Sequence, residues 1–265
     1  MKKTTSFESV PRIWAAGLEH APDLYLRFRR KFFLERIPSS VRARIAVDTD
    51  FALYVNGHRV PATQFPDFED RKSFTELDWS ALVRPGENVI AILVYHLGTG
   101  NATHRACPGG LRFELDCAGG ANLVSDATWR IAPAAAYRSG WCSPLSVPIG
   151  YRFEYHAEAE DGWTAPEYDD SGWSRAARLA CPAPDGSWQT VGPRPLPPLR
   201  ESPPEPVSLI WQGEMLQDKR AAEALPFLRP MPPEQAFGEW KTGWNGVGGS
   251  DAGSLYPNRL EPDTE

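Results

Sequence analysis

The amino-acid sequence predicts an all-β protein, and three of its features support that prediction. Apolar and polar residues alternate along several short segments, which is the pattern of strands with one buried and one solvated face. Proline and glycine account for 26 and 22 of the 265 residues, and both favour tight turns between short strands. Ten tryptophans help to bring the aromatic content to 11%, and aromatic side chains favour strands. We therefore expect an antiparallel β-sandwich with a proline-rich C-terminal extension.

The first long strand is predicted at Leu24–Leu34, where most even-numbered residues are apolar. Four basic residues cluster in it: Arg27, Arg29, Arg30 and Lys31. Because they are interleaved with apolar residues and the net charge of the chain is −6, we interpret them as a solvated strand face. We accordingly expect no nucleic-acid partner. Residues 41–47 repeat the alternation and predict a second strand with one wet face.

A β-hairpin is predicted at residues 51–60. Asn56 and Gly57 tolerate the positive φ that both central residues of a type I′ turn require. Leu53 and Val55 then share the face that points into the core. The pairing register of this hairpin follows from the turn and from the apolar face together.

The segments that follow the hairpin differ in periodicity. Residues 61–76 mix acidic residues with phenylalanines in no regular order, so we expect a long polar and aromatic loop. After a turn at Pro85 and Gly86, the strand that ends at Tyr95 is apolar on both parities from Val89 onward. A strand of that kind is covered on both faces, which predicts a position in the centre of the sandwich.

Four segments together resemble the N-terminal β-domain of bacterial α-L-rhamnosidases, which are glycoside hydrolases of family 78. They are the Tyr-Val-Asn-Gly hairpin at 54–57, the Pro-Gly-Glu-Asn turn and strand within 79–94, Ser-Asp-Ala-Thr-Trp at 125–129, and Tyr-Asp-Asp-Ser-Gly-Trp at 168–173. They occur in the order that the family shows. One strand departs from the pattern, with Tyr155-His156-Ala157-Glu158 where the family tends to have Tyr-Asp-Ala-Arg. The resemblance implies a jelly-roll-like, galactose-binding-like sandwich.

The resemblance also implies a function without catalysis in this chain. Inverting glycoside hydrolysis needs two carboxyl groups about 6.5–9.5 Å apart, and the resemblance places both on a large helical barrel that has no counterpart here. We assign no catalytic residue, and we expect an accessory, carbohydrate-binding module that is truncated relative to the enzyme and is inactive by itself. Two alternatives stay open: a scaffold that packs on a missing catalytic domain without binding sugar, and a fragment of an enzyme that continues downstream.

Candidate sugar-binding residues lie in two loops, one before and one after the predicted central strand. A sugar site usually combines polar groups for the hydroxyls with an aromatic surface for the ring. The candidates are Asp67, Glu69, His96, Asn101, His104 and Arg105. The expected ligand is L-rhamnose or a rhamnoside-containing carbohydrate, as the resemblance implies. It leaves calcium open as well, but no calcium ligand set carries over residue by residue, so we assign no cofactor and no metal ligand.

The sequence predicts three regions. The sandwich is expected at 1–182, a proline-rich linker at 183–206, and an incomplete, partly disordered extension at 207–265. The four cysteines lack metal-site spacing and are interpreted as free thiols or small core residues. No apolar run is long enough for a membrane span and no secretory signal follows Met1, so we expect a cytoplasmic protein without a membrane partner.

Overall fold

The computed structural model describes residues 7–101, 103–118, 122–140, 144–146, 150–151 and 153–197. Within them the chain is all-β, and its helical turns are the 3₁₀ segments Phe7–Ser9 and Ala157–Ala159. No helix among these residues is long and apolar enough to cross a membrane. The fold-class prediction of a β-sandwich is confirmed. The predicted extension at 207–265 lies outside the described residues.

The strands in chain order are β1 (Arg12–Trp14), β2 (Leu24–Leu34), β3 (Val41–Asp48), β4 (Asp50–Val55), β5 (His58–Val60), β6 (Arg71–Asp78), β7 (Gly86–His96), β8 (Gly110–Cys117), β9 (Leu123–Val124), β10 (Arg130–Pro133), β11 (Pro144–Ser146), β12 (Gly150–Tyr151), β13 (Ser174–Arg175), β14 (Ala177–Leu179) and β15 (Thr190–Pro193). One compact unit comprises residues 1–142 and 147–201. A second comprises residues 143–146 and 202–265, and β11 is its described part.

Two sheets make up the first unit. One sheet has the strand order β14-β1-β8-β3-β6-β15, with β9 added to β8, and the other has the order β13-β10-β2-β7-β4-β5. Their apolar faces meet in one core, in which Trp14, Trp79 and Trp129 have no solvent-accessible surface. The prediction that β7 is a central strand is confirmed, because β7 pairs with β2 on one side and with β4 on the other.

The predicted hairpin is present, with φ of 52° at Asn56 and 83° at Gly57. Leu53 and Val55 on its incoming strand are buried, as expected. Beyond the turn itself, the Asn56 side chain ties the hairpin to β7. Its Oδ1 accepts the N–H of Val89 at 2.9 Å, and its Nδ2 donates to Oδ1 of Asn88 at 3.0 Å. The hairpin therefore helps to set the register of the central strand.

Two of the four basic residues of β2, Arg27 and Arg29, are buried, contrary to the prediction of a solvated face, whereas the Lys31 side chain is 36% exposed. Arg27 and Arg29 are 7% and 0% exposed, because part of the segment 153–173 lies over this face. Arg27 donates to both carboxylate oxygens of Asp161 at 2.9 Å. Arg29 donates to Asp170 at 2.9 Å and to the carbonyl of Ala165 at 3.0 Å. Periodicity could not show this, since the compensating acceptors come from more than 130 positions away in the chain.

Two segments that the sequence assigned to irregular structure are strands. Residues 71–76, at the end of the predicted loop 61–76, belong to β6, which pairs with β3 through residues 75–78. Residues 190–193 form β15, a parallel edge partner of β6, and Trp188 just before it is fully buried. The predicted boundary at residue 182 is therefore too early. The linker was predicted from its prolines, but an edge strand such as β15 tolerates a proline at its end.

Candidate functional site

A cleft of about 670 Å³ opens between the loop that precedes β6 and the loop that follows β7. Its lining residues are Pro66, Asp67, Phe68, Glu69, Gly100, Asn101, Thr103, His104, Arg105 and Ala106. Five of the six candidates named from the sequence are among them, namely Asp67, Glu69, Asn101, His104 and Arg105. The two loops lie more than 30 positions apart in the chain, so the fold and not sequence proximity brings these side chains together.

A second cleft of about 360 Å³ adjoins the first. The two share five lining residues, which are Pro66, Asp67, Asn101, Thr103 and His104. Beyond the shared wall the character changes, because Tyr25, Phe65, Tyr95 and Phe153 contribute aromatic surface. Tyr25 and Tyr95 contact each other, with ring centroids 4.6 Å apart.

Asn101 shapes the loop after β7. Its side-chain Oδ1 accepts the backbone N–H groups of Thr103 and His104, each at 2.8 Å. Its own N–H donates to the carbonyl of His104 at 2.8 Å. An asparagine that bonds backbone two and three residues ahead closes a tight turn. The turn presents His104 to both clefts, so Asn101 acts here mainly as the residue that holds the loop.

A buried ion-pair network forms the floor of the site. The ammonium of Lys72 donates to Oδ2 of Asp48 at 2.6 Å and to Oδ1 of Asp67 at 3.0 Å. Asp67 also accepts the N–H of Ser73 at 2.6 Å and the side-chain amide of Gln64 at 3.0 Å, both through Oδ2. Each oxygen of Asp67 is thus occupied within the protein. Its carboxylate holds the loop in place beneath the cleft.

His96 lies beneath the cleft rather than in it, which corrects its prediction as a direct sugar contact. Its side chain is fully buried, so a ligand in the cleft cannot reach it. Its Nδ1 lies 3.0 Å from Oδ1 of Asp48, and its ring packs edge-on against Trp14. His96 is the last residue of β7 and not part of the following loop, and its strand parity directs it inward.

Electrostatics differ between the groups of this network. Burial would raise the pKa of Asp48, but Lys72 and His96 outweigh it and lower that pKa to about 2. Burial raises the pKa of Asp67, since Lys72 and the Ser73 N–H oppose it only in part. Burial also lowers the pKa of His104, with Lys72 and His96 adding to the effect. His104 is therefore neutral at pH 7, and its imidazole can both donate and accept a hydrogen bond.

Two buried polar atoms at the cleft, Nε2 of His104 and Oε2 of Glu69, have no hydrogen-bond partner among the described residues. The Nε2 of His104 lies 3.7 Å from Oδ1 of the buried Asp48, so it faces the floor of the site. The Arg105 side chain is 72% exposed, with its Nε 4.0 Å from Glu69 Oε2. Buried polar atoms normally have a partner. A polar ligand in the cleft is one way to supply it.

Phe68 provides an aromatic surface at the same cleft. It is 54% exposed. The guanidinium of Arg71 lies 5.1 Å from the ring centroid, a cation–π contact that steadies the ring. Sequence reasoning noted the aromatic residues of this loop but did not select Phe68. The sequence did not indicate Asp48 or Lys72 as part of the site. Asp48 ends a predicted strand on its polar face, and Lys72 lay in the predicted loop 61–76.

The described residues do not fit a calcium site in this cleft. No group of three or more His, Cys, Asp or Glu side chains among them is arranged to hold a metal ion. Calcium prefers six to eight oxygen ligands, whereas the buried carboxylate of the cleft, Asp67, already bonds Lys72.

The fold and the cleft together define a β-sandwich module with a polar, partly aromatic site at the ends of its strands. No protein-family model matches the chain, and no curated protein does. Among solved structures the chain is similar to several α-L-rhamnosidases. The family 78 rhamnosidase of Bacillus sp. GL1 is 28% identical with a TM-score of 0.65, and the match covers 71% of this chain and 20% of that one.

Two further enzymes share the fold. The α-L-rhamnosidase of Dictyoglomus thermophilum is 20% identical with a TM-score of 0.55 over 71% of this chain and 22% of its own. The enzyme of Aspergillus terreus is 20% identical with a TM-score of 0.53 over 66% of this chain and 21% of its own. The match spans about a fifth of each rhamnosidase. The resemblance drawn from the sequence is thereby confirmed.

Proposed function

We propose that this chain is a non-catalytic carbohydrate-binding module of α-L-rhamnosidase type, and that the cleft between the loops before β6 and after β7 binds L-rhamnose or a rhamnoside. The observation that carries the proposal is the convergence of Glu69, His104 and Arg105 with Phe68 in one cleft of about 670 Å³. Small-molecule sites are pockets of about 300–1,000 Å³ that combine apolar surface with a few placed polar groups.

The polar groups of the cleft suit sugar hydroxyls. Neutral His104 can donate to or accept from a hydroxyl, Glu69 accepts, and Arg105 donates. The exposed ring of Phe68 offers an apolar face for the C–H side of a pyranose or for its methyl group. Asp67, next to Phe68 in the chain, is anchored by its ion pair with Lys72, so this part of the loop is already positioned before a ligand binds.

The arrangement of carboxylates supports a module without glycosidase activity. Hydrolysis requires two carboxyl groups that are free to exchange protons or activate water. In the described part of the cleft, Asp67 accepts hydrogen bonds at both oxygens and Asp48 is sealed beneath it in an ion pair. Glu69 is then the carboxylate that remains for a ligand.

The direct test is titration of the full chain with L-rhamnose by isothermal calorimetry, together with thermal unfolding. A ligand that binds the native state raises Tm, by the free energy RT ln(1 + [L]/Kd). We expect Tm to rise with L-rhamnose and to stay unchanged with D-glucose, an unrelated hexose, at equal concentration. The absence of a rise at tens of millimolar L-rhamnose would favour the alternative of a scaffold that packs on a catalytic domain.

Variants locate the binding. Glu69→Gln and Arg105→Ala are expected to weaken rhamnose binding about tenfold each, the loss of one charge-assisted hydrogen bond. Glu87→Gln is the matched control, since Glu87 is an exposed acid that pairs with Lys31 at 3.3 Å at the opposite end of β7. Equal effects of Glu69→Gln and Glu87→Gln would place the sugar elsewhere. Turnover of an aryl rhamnoside by the purified chain would overturn the non-catalytic part of the proposal.

A further inference from the structure

Two buried guanidinium groups lie on neighbouring strands of one sheet without a carboxylate partner. Arg12 on β1 and Arg112 on β8 are each 3% exposed. The Nε and Nη1 atoms of Arg12 and the Nε of Arg112 have no hydrogen-bond partner among the described residues. The buried cations Arg27, Arg29 and Lys72, by contrast, each pair with an aspartate. Since a buried charge normally has a counter-charge, this pair of arginines lacks an anion.

The sulfur of Cys181 lies beside both guanidinium groups. Its Sγ contacts Nη2 of Arg112 and lies 3.4 Å from the carbonyl oxygen of Trp188, to which the thiol can donate. Burial lowers the pKa of Arg12, and Cys181 is the largest of the electrostatic influences that oppose this shift. The ring of Trp188 fixes the two cations, whose Cζ atoms lie 5.6 and 6.0 Å from its centroid. An anion at Cys181 is therefore placed to pair with both.

Cys181 is also more accessible than Cys107 and Cys117. Those two cysteines are buried, whereas Cys181 is half-buried. Burial raises the pKa of Cys107 to about 12, so this residue is a protonated thiol at neutral pH. The susceptibility of a cysteine to oxidation follows its exposure and its thiolate character. Of these three cysteines, Cys181 is the one that a small oxidant in solution can reach.

We propose that Cys181 is an oxidation site, at which a peroxide converts the thiol to a sulfinate that Arg12 and Arg112 bind. The sulfur forms a bond to one peroxide oxygen as the O–O bond breaks, and the departing hydroxide takes up the proton lost by the thiol. The products are the sulfenic acid and water. A second peroxide delivers a second oxygen in the same way and leaves the sulfinic acid and another water. Sulfur is oxidised and peroxide oxygen is reduced in each step.

The sulfinate matches what the two arginines lack. It carries a negative charge on two acceptor oxygens once its proton is lost, and Arg12 and Arg112 offer unpartnered N–H groups. Hydrogen bonds between ionised groups are about twice as strong as those between neutral groups. The fold already bears the cost of burying both cations, so oxidation supplies their counter-charge and stabilises the native state. This inference is independent of what the cleft binds.

Peptide mapping by mass spectrometry, after treatment of the native full chain with hydrogen peroxide, tests the site. The peptide that contains Cys181 is expected to gain the mass of two oxygen atoms at least about tenfold faster than the peptide that contains Cys107. The Tm of the treated protein is expected to rise by about 3 °C or more, and treated Cys181→Ser is expected to show no rise. Equal rates at the two cysteines, a disulfide between them, or a rise in the serine variant would overturn the proposal.

A pair of variants tests the charge without any oxidant. Cys181→Asp places a carboxylate at the position of the sulfinate, and Cys181→Asn is its neutral control of the same shape. The aspartate variant is expected to have a Tm about 3 °C higher than the asparagine variant. Adding Arg112→Gln to both is expected to reduce that difference by about half or more, as for residues that interact directly. Equal Tm values for the two single variants would overturn the assignment of the guanidinium pair as an anion partner.

Discussion

The ammonium group of Lys72 lies 2.6 Å from Oδ2 of Asp48 beneath the candidate cleft, and the two side chains are 2% and 0% exposed. Lys72 is on β6 and Asp48 ends β3, so the pair joins neighbouring strands of one sheet at the edge where the loops leave. Asp67 and His96 complete the arrangement from two further elements. The network therefore links the cleft loops to the core.

Lys72→Met is expected to destabilise the protein strongly. Removing one partner of a buried ion pair leaves an uncompensated charge, which costs about 3–5 kcal/mol. Here two carboxylates, Asp48 and Asp67, lose their shared cation. Chemical denaturation measures the free energy of unfolding. Lys31→Met is the control, since the Lys31 side chain is 36% exposed and pairs with an exposed glutamate, and a change below about 1 kcal/mol is expected there. Equal effects would contradict the role of the network.

Stability should depend on His104 between pH 7 and 5. Burial lowers the pKa of His104 in the folded protein. Below about pH 6.5 the unfolded chain binds a proton at this residue that the folded chain resists, so stability falls as pH falls. His104→Gln should reduce the fall in Tm over this range.

His156 provides the opposite sign for comparison. Hydrogen bonds to Glu154 and Glu158 raise its pKa, so its contribution is present at low pH and is lost as pH rises through the folded value. His156→Gln should therefore steepen the loss of stability on acidification rather than reduce it. A common response of both variants would show that the histidines do not titrate as the structure implies.

Acid unfolding should begin near the titration of Asp48. Its pKa is lowered to about 2 in the fold, so its stabilising effect is present above about pH 4 and disappears as pH falls toward 2. Asp67 has the opposite effect on stability. Its pKa is raised in the fold, so the folded protein binds this proton more tightly than the unfolded chain does, and protonation of Asp67 favours folding. Asp48→Asn should shift the midpoint of acid unfolding upward and flatten the transition. An unchanged acid midpoint would contradict the assignment.

Trp188→Ala tests the extent of the domain. Trp188 is fully buried, and its indole N–H donates to the carbonyl of Pro108 at 3.0 Å. Replacing a buried tryptophan by alanine costs about 3–5 kcal/mol. Leu196→Ala serves as the control because Leu196 is 60% exposed. If Trp188→Ala is no more destabilising than Leu196→Ala, residues after 182 are a linker, as the sequence alone predicted.

Local patterns in the sequence determined much of the sandwich. The Asn56 and Gly57 turn and the strands β2, β3 and β7 depend on neighbours within a few positions, and each of these elements was predicted correctly. The burial of Arg27 and Arg29 on β2 was not. The loops that carry Glu69 and His104 were also selected from the sequence, since polar residues directly after a central strand lie at one end of a sandwich. The physical basis is short-range, in turn geometry and side-chain parity.

Tertiary structure alone decided which polar residues are buried and which face a cleft. Arg29 and Lys72 look like solvated cations in the sequence, and both are sealed because distant carboxylates and carbonyls compensate them. The side chain of His96 points into the core because His96 lies on the inward face of β7 and because its ring contacts Asp48, which lies 48 positions earlier in the chain. The free energy of burying a charge depends on partners that folding brings together, and no local pattern records those partners.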